Sequence, residues 1–331
     1  MTEIRLAFVG SGNWARKYHF PALAWLRERE AGLVLRGIHS LDAPTAQSVA
    51  DEYAFQRVYP SLDDLLADES INAYAVAVTP SALSGVMARL MTRPLPIFSE
   101  KPPGISAADA TALAKLITVP NVVAFNRRFI PLNNQFKALV DETPDIYYLE
   151  GHFFRHNRQD PAFALETGIH WINFIEYICG PIARVETERF AHPTTATWVW
   201  LARLVFASGL RGLLKIFPCT GAQGERLEIH SPARALFLEG PLWADPGRIV
   251  IEENDGNPVL HLQKIVRRKI GGNADGPEIV ERGIVGEYQE FFAAVRTGAA
   301  TRSHFQNAVN GMRVAEAIEA GKNWDNEMMR D

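Results

Sequence analysis

The chain has 331 residues, more than the roughly 250 to 300 at which one hydrophobic core stops growing, so two domains are expected. Its composition, 47% hydrophobic and 22% charged, is that of a globular protein, and a net charge of -4 gives no general attraction for a phosphate backbone or an anionic bilayer. Nucleic acid and membrane surfaces are therefore not expected partners. Cys179 and Cys219 lack any CxxC spacing, no apolar run nears the roughly 20 residues of a membrane span, and no secretory segment precedes the first apolar run, so a cytoplasmic protein without disulfides, structural zinc or other bound metal is expected.

From the start, strand-length apolar runs alternate with amphipathic stretches. The strands are Ile4 to Val9, Leu33 to His39, Ala73 to Thr79, Leu95 to Ser99 and Val122 to Phe125, and the helices are Ala15 to Glu30, Ala43 to Tyr53, Ser61 to Glu69, Ser81 to Met91 and Ser106 to Ile117. Buried strands separated by helices signal βαβ units, and hence a doubly wound parallel sheet over residues 1–122. From residue 123 to 331 the pattern is α+β. Helices are expected at Pro131 to Asp141, Ile169 to Cys179, Val285 to Arg296 and Phe305 to Ala320. Strands are expected at Ile146 to His156, Trp198 to Ala207, Leu210 to Phe217, Arg226 to His230, Arg234 to Leu238, Arg248 to Glu252 and Val259 to Gln263. Turns at Ser208-Gly209, Asp245-Pro246-Gly247 and Asn254-Asp255-Gly256 join these strands into one large, mostly antiparallel sheet. The basic run Lys264, Arg267, Arg268 and Lys269 reads as a solvated edge or loop.

The first strand runs into Gly10-Ser11-Gly12-Asn13-Trp14-Ala15, a G-x-G-x-x-A turn before a helix. The first glycine permits the tight turn, the second lets the main chain approach a pyrophosphate, and the small third residue lets helix and strand pack closely. A dinucleotide is the expected ligand, with a doubly wound protein that merely turns on glycine as the alternative. The second strand ends Ile38-His39-Ser40-Leu41-Asp42, with Ser40 where an acid would read the adenosine ribose of NAD. A hydroxyl tolerates a 2′-phosphate, yet no Arg or Lys follows and Asp42 would repel one if it turned inward. NAD and NADP both stay open, with a lean to NADP.

The strand ending at Ser99 delivers Glu100-Lys101-Pro102 at the sheet's carboxyl edge, where doubly wound folds bind ligands. A lysine there, its pKa lowered by partial burial and an oxidised nicotinamide, can exchange a proton with a substrate hydroxyl. Pro102 is a candidate for a cis bond that would aim Lys101. The alternative is a surface Glu-Lys pair before a loop.

These residues, with His19-Phe20-Pro21-Ala22-Leu23, Tyr59 to Leu66, Thr79-Pro80, Asn126-Arg127-Arg128-Phe129, Gly168-Ile169-His170 and Gly286 to Phe292, resemble in order and spacing the Gfo/Idh/MocA oxidoreductases over nearly the whole chain. The resemblance implies a Rossmann domain joined to an open-sheet domain that often buries its outer face in a homo-oligomer, here a dimer or tetramer. It implies hydride transfer between NAD(P) and a sugar, polyol or similar small polar substrate, with Lys101 as the catalytic lysine. The cofactor-binding set is then Gly10, Gly12, Asn13, Trp14, Ala15, Ser40, Thr79, Pro80, Glu100 and Lys101.

Two departures from the family pattern stand out. Where a G-x-H-x-x-D arrangement is common, the chain reads Gly168-Ile169-His170-Trp171-Ile172-Asn173, and His170 and Asn173 share a helical face. Asn173 cannot ionise and orients substrate through its amide, while His170 is the expected assistant in proton transfer, or else a core histidine. Glu176, where some relatives carry a second histidine, reads as a solvated helix residue, with a substituted acid-base group as the alternative. Ser84 stands where a histidine after Thr79-Pro80 is usual. Arg128 and Arg155 are expected substrate anchors, since a guanidinium offers several donors in a fixed fork, with interdomain salt bridges as the alternative. His152 and His156 share a strand face without matching carboxylates, which argues against a metal pair. Trp198-Val199-Trp200, Phe153 and Phe154 read as sheet surface in a subunit interface. Two other functions remain open: a non-catalytic dinucleotide-dependent sensor or regulator, and transient redox assistance of elimination or glycoside cleavage.

Overall fold

The computed structural model describes residues 3–242, 245–257 and 262–326, and the chain divides into two compact units. The first comprises Met1–Phe129 with Glu278–Val309, the second Ile130–Pro277 with Asn310–Asp331.

In the first unit β1 (Ile4–Val9) leads into a helix that opens with a π-type turn over Ala15–His19 and continues as α1 (Phe20–Arg29). β2 (Leu33–His39), α2 (Ala43–Tyr53), the short α3 (Leu62–Leu66), β3 (Ala73–Val76), α4 (Pro80–Leu90), β4 (Ile97–Ser99), α5 (Ala107–Leu116) and β5 (Asn121–Val123) follow. The strands form a parallel sheet in the order β2-β1-β3-β4-β5. Every residue of β3, β4 and β5 is buried, as required of strands covered on both faces. The order reverses about β1, and the carboxyl ends there form the edge at which a doubly wound sheet binds ligands.

In the second unit α6 (Pro131–Asp141) and β6 (Tyr148–Phe154) precede a second π-type turn, Ala164–Gly168, that runs into α7 (Ile169–Cys179). Then come β7 (Ile182–Ala191), β8 (Trp198–Phe206), β9 (Arg211–Phe217), β10 (Gly224–His230), β11 (Arg234–Glu239), β12 (Arg248–Asn254) and β13 (Ile265–Gly271). The helices α8 (Glu278–Glu281) and α9 (Ile284–Thr297) belong to the first unit, α10 (Phe305–Ala320) has residues in both, and β14 (Trp324–Asp325) closes the second unit's sheet. Among the described residues that sheet has nine strands in the order β13-β12-β11-β10-β6-β9-β8-β7-β14, all antiparallel pairs except β6 with β9. Alternating burial along β6, β9 and β10 leaves one face packed and one half-covered. The expected fold class, a Rossmann domain plus an α+β domain with a large open sheet, is the one observed. Among the described residues no helix is long and apolar enough to cross a membrane.

The units part differently from a single cut after residue 122. Glu278–Val309 returns to the first unit because α9 is a core helix of it: Ile284, Val285, Tyr288, Phe291 and Phe292 join the apolar cluster of β1, α1 and β2. The segment before α10 also binds the edge of β5, with Val123 N donating to Ser303 O at 2.7 Å and Thr301 Oγ1 donating to Asn121 O at 2.5 Å. Strand β7 carries Glu186, Thr187, Glu188 and Arg189 in sequence and has no apolar alternation to announce it. The basic run lies on the exposed edge strand β13, where Arg267 and Arg268 pair with Glu252 and Glu253 of β12. Of the strand expected at Val259 to Gln263, residues through His261 lie outside the described residues, and Leu262 and Gln263 are not in a strand. Phe153 and Trp200 are not interface surface: they are buried around Phe163 in the second unit's core, while Trp198 is exposed.

Phe291 is fully buried against Phe98 and Phe292. Replacing it with Ala should cost about 3 to 5 kcal/mol. Denaturant unfolding checks this, and an unchanged midpoint would contradict the assignment of α9 to the first unit's core.

Candidate active site

The glycine turn is built for close approach of another backbone or ligand. Gly10 has φ of 105°, and a Cβ there would lie 2.2 Å from the carbonyl oxygen of Ala77, so only glycine fits. Its N–H donates to His39 O at 2.8 Å, which locks the turn against the end of β2. A Cβ at Gly12 would meet nothing within 4 Å, so the space above the second glycine is open. Helix begins at once, with Arg16 N donating to Gly12 O at 3.1 Å, and its first main-chain amides face the turn. Ala15 is buried against the core, as the small third residue of the turn must be. These features fit a pyrophosphate resting on the amides of residues 10–15.

Beside this cradle, Ser11 Oγ donates to Ser40 Oγ at 2.8 Å. Asp42 turns to its own helix, accepting from Thr45 N at 3.1 Å and Thr45 Oγ1 at 2.6 Å as the N-cap of α2. Those two bonds, with the Arg16 charge, outweigh slight desolvation and hold the Asp42 carboxyl below its ordinary range. Thr79 caps α4 with Pro80 as the first helical residue. Ser84 donates to Asp109 Oδ1, and the same Asp109 accepts Ile105 N at 3.0 Å, so Ser84 braces the loop that follows Lys101.

That loop begins at Glu100-Lys101-Pro102, and the Lys101–Pro102 bond is cis. Lys101 is half-buried at the end of β4. Glu100, expected to meet the cofactor, points its carboxylate inward: Oε1 accepts Trp14 Nε1 at 3.1 Å and lies 2.8 Å from His19 Nε2, while Oε2 accepts the Lys101 main-chain N–H at 3.1 Å. Burial pushes this carboxyl up, but the His19 hydrogen bond and charge, the Lys101 ammonium and the Lys101 amide outweigh it and leave it below the usual range. His19 Nδ1 lies 2.9 Å from the Tyr288 hydroxyl, and Phe98 stacks on the Tyr288 ring at 4.3 Å. Neither His19 nor Tyr288 was expected from the sequence to be functional, although both lie in motifs that carry the family resemblance.

In the second unit every residue from Ile169 through Glu176 of α7 is buried, with His170 on the first turn and Asn173 one turn on. Glu176 is not solvated: Oε1 accepts Ile182 N at 3.1 Å and the Asn310 side-chain amide, tying α7 to β7 and α10. The two arginines expected to anchor substrate are engaged in structure instead. Arg155 forms a buried ion pair with Glu225 and donates to Phe154 O at 2.9 Å. Arg128, also buried, donates to Arg302 O. Among the described residues no group of three or more His, Cys, Asp or Glu is arranged to hold a metal ion. His152 bonds Glu150 at 2.7 Å and stacks on Phe154.

Glu287, on α9, is fully buried, and neither carboxyl oxygen has a hydrogen-bond partner among the described residues. Burial first, then the Glu100 charge, pushes its pKa well above the ordinary range, against a smaller opposite pull from Arg127. A carboxyl raised in the fold costs nothing below its unfolded pKa of roughly 4.3, and the cost grows as pH rises toward the folded value. Glu287→Gln should therefore raise the Tm at pH 8 and leave it nearly unchanged near pH 4. An equal effect at both pH values, measured by thermal unfolding, would contradict a protonated Glu287.

Residues 4–126 match the sequence profile described as oxidoreductase family, NAD-binding Rossmann fold. Inositol 2-dehydrogenase of Corynebacterium glutamicum is 22% identical over 206 residues, which spans 59% of this chain and 59% of that enzyme. Among solved structures, a dehydrogenase from Chromobacterium violaceum has a TM-score of 0.84 at 19% identity, covering 97% of this chain and 96% of that one. Levoglucosan dehydrogenase in complex with NADH and L-sorbose also reaches 0.84, at 16% identity, covering 98% and 99%. The likeness to these two structures extends the fold over the whole chain. Residues 4–126 thus match the NAD-binding Rossmann fold of an oxidoreductase family, and the solved structures show the same two-domain fold over the rest of the chain.

Proposed function

We propose that the protein is an NAD(P)-dependent dehydrogenase of a sugar, polyol or similar small polar substrate, with Lys101 as the group that exchanges a proton with the reacting hydroxyl. The observation that carries this reading is the placement of Lys101 at the carboxyl end of β4, on the same sheet edge as the glycine turn after β1. The names of inositol 2-dehydrogenase and of levoglucosan dehydrogenase, the latter solved with NADH and L-sorbose, support polyhydroxylated substrates as the class.

When bound, NAD(P) supplies or accepts the hydride. Amides of residues 10–15 would hold its pyrophosphate, Ser40 would lie at the adenosine ribose, and Thr79 and Pro80 would border it. Lys101 then accepts the hydroxyl proton as the carbon gives up hydride, or returns it in the reverse direction. In this reading His170 and Asn173, both on α7, handle a proton and orient a hydroxyl through an amide. Arg128 and Arg155 drop out of the substrate-binding set, because a guanidinium held by a carbonyl or a buried carboxylate is not available as an anchor. A homo-oligomer formed through the half-covered face of the second unit's sheet, bearing Phe154, Leu213, Phe217 and Phe237, is part of the same proposal.

We assign NADP as the preferred coenzyme. A serine stands where an NAD-selective acid would, Asp42 is turned into its helix cap, and Arg16 lies close enough to act on the Asp42 charge. NADPH should bind more tightly than NADH in calorimetry, and tighter binding of NADH would reverse the assignment. Lys101→Met should lower turnover by roughly 100-fold to 10,000-fold, the range for loss of a general acid-base group, while dinucleotide affinity survives. Turnover equal to that of the unmodified enzyme, assayed over sugars and polyols by nicotinamide absorbance, would reject Lys101.

A further inference from the structure

One carboxylate in the first unit links three distant stretches of sequence, its own and those of residues 14–19 and 288. Glu100 accepts from Trp14 on the glycine turn at 3.1 Å and from the Lys101 amide at 3.1 Å, and it lies 2.8 Å from His19 Nε2 on the π-type turn. Behind His19, which is fully buried, stands the Tyr288 hydroxyl of α9 at 2.9 Å. An ionised carboxylate only accepts, so His19 Nε2 carries the hydrogen and donates to Glu100. Burial, with Glu287 and Glu100 close by, keeps the Tyr288 proton in place far beyond the ordinary phenol range. The polar contacts thus run from Tyr288 through His19 to Glu100.

We propose that Glu100, oriented by His19 and Tyr288, is the positioning residue for Lys101, fixing its main chain, setting a negative charge beside its ammonium, and tying both through Trp14 to the dinucleotide turn. This inference rests on Lys101 as the proton-exchanging group. The charged and titratable groups around Glu100 are Lys101 on its own strand end, His19 from the helix after the glycine turn, and Glu287 and Tyr288 from α9, with Arg127 acting on Glu287. Burial disfavours the charged forms of Glu287 and Tyr288, whereas donors and a neighbouring ammonium favour the charged form of Glu100. Removal of that charge makes the Lys101 proton easier to lose.

The test compares variants of the full-length enzyme in the oxidative direction, reading kcat, KM and the pH profile of kcat. Glu100→Gln keeps the shape and an acceptor but removes the charge. It should lower kcat by roughly 10-fold to 100-fold, change KM much less, and move the acidic limb of the profile to lower pH. Tyr288→Phe removes only the hydroxyl that orients His19. It should lower kcat by roughly two-fold to ten-fold and leave the limb where it was, since the Glu100 charge remains. Trp14→Phe removes one donor at an exposed position and should behave like Tyr288→Phe, which keeps the inference testable if Glu100→Gln fails to fold. Unchanged kcat in both Tyr288→Phe and Trp14→Phe, or an unmoved limb in folded Glu100→Gln, overturns the proposal while an inactive Lys101→Met leaves Lys101 in its role. An active Lys101→Met instead removes the functional reading on which it rests.

Discussion

A carboxylate placed among aromatic rings at the edge of a parallel sheet has to find donors, because an unpaired buried charge costs several kcal/mol. Glu100 finds them in the indole of Trp14, the imidazole of His19 and the amide of Lys101. This requirement fixes the local architecture. The helix after the glycine turn has to aim residues 14 and 19 toward β4, and its π-type turn over Ala15–His19 includes the second of them. The chain then has to bring α9 back from far along the sequence to place Tyr288 behind His19, with the Phe98 ring stacked on it. The return of residues 278–309 to the first unit follows from both needs, apolar burial of α9 and completion of a polar chain.

This explains which parts of the molecule were legible in the sequence. The parallel sheet was readable because its strands are continuous apolar runs of the right length, and the glycine turn because Gly10 admits no side chain. The edge position of Lys101 followed from the same alternation of strands and helices. What stayed hidden were partners set by long-range packing. Glu100 looks exposed from its neighbours Lys101 and Pro102, yet the groups that bury it are 81 residues away at His19 and further still on α9. Glu176 looked like a solvated helix residue because a single charged side chain on an apolar helix gives no sign of Asn310 and the Ile182 amide waiting for it. Arg155 and Arg128 likewise have partners set by long-range packing, Glu225 and the Arg302 carbonyl. Strand β7 was missed because pairing with β8 and β14, rather than alternation of polarity, makes it a strand. The one available signal for His19 and Tyr288 was their place in motifs carrying the family resemblance, which marks position without stating a contact.

The second unit meets its polar demands in a different way. Its helix α7 is buried along nearly its whole length, so its polar residues need fixed surroundings rather than solvent. Glu176 ties three elements together, and Arg155 with Glu225 closes a buried pair beside β6 and β10. Buried ion pairs of this kind contribute little net stability against an apolar substitute, but they break expensively when one partner is removed. They make the sheet and its helix a stiff platform.

The distribution of unfavourable features through the first unit is itself informative. Left-handed backbone at Gly10, a π-type turn at Ala15–His19, a largely covered carboxylate at Glu100 and a buried carboxyl at Glu287 without a hydrogen-bond partner among the described residues each cost stability, and each has a cheaper alternative elsewhere in sequence space. A fold selected for stability alone would scatter such costs or lose them. Here Glu287 and Glu100 act on one another, Glu100 holds residues of the turn that begins at Gly10, and Lys101 follows directly in sequence. Their convergence on one end of the sheet is the pattern expected where local rules give way to a functional constraint.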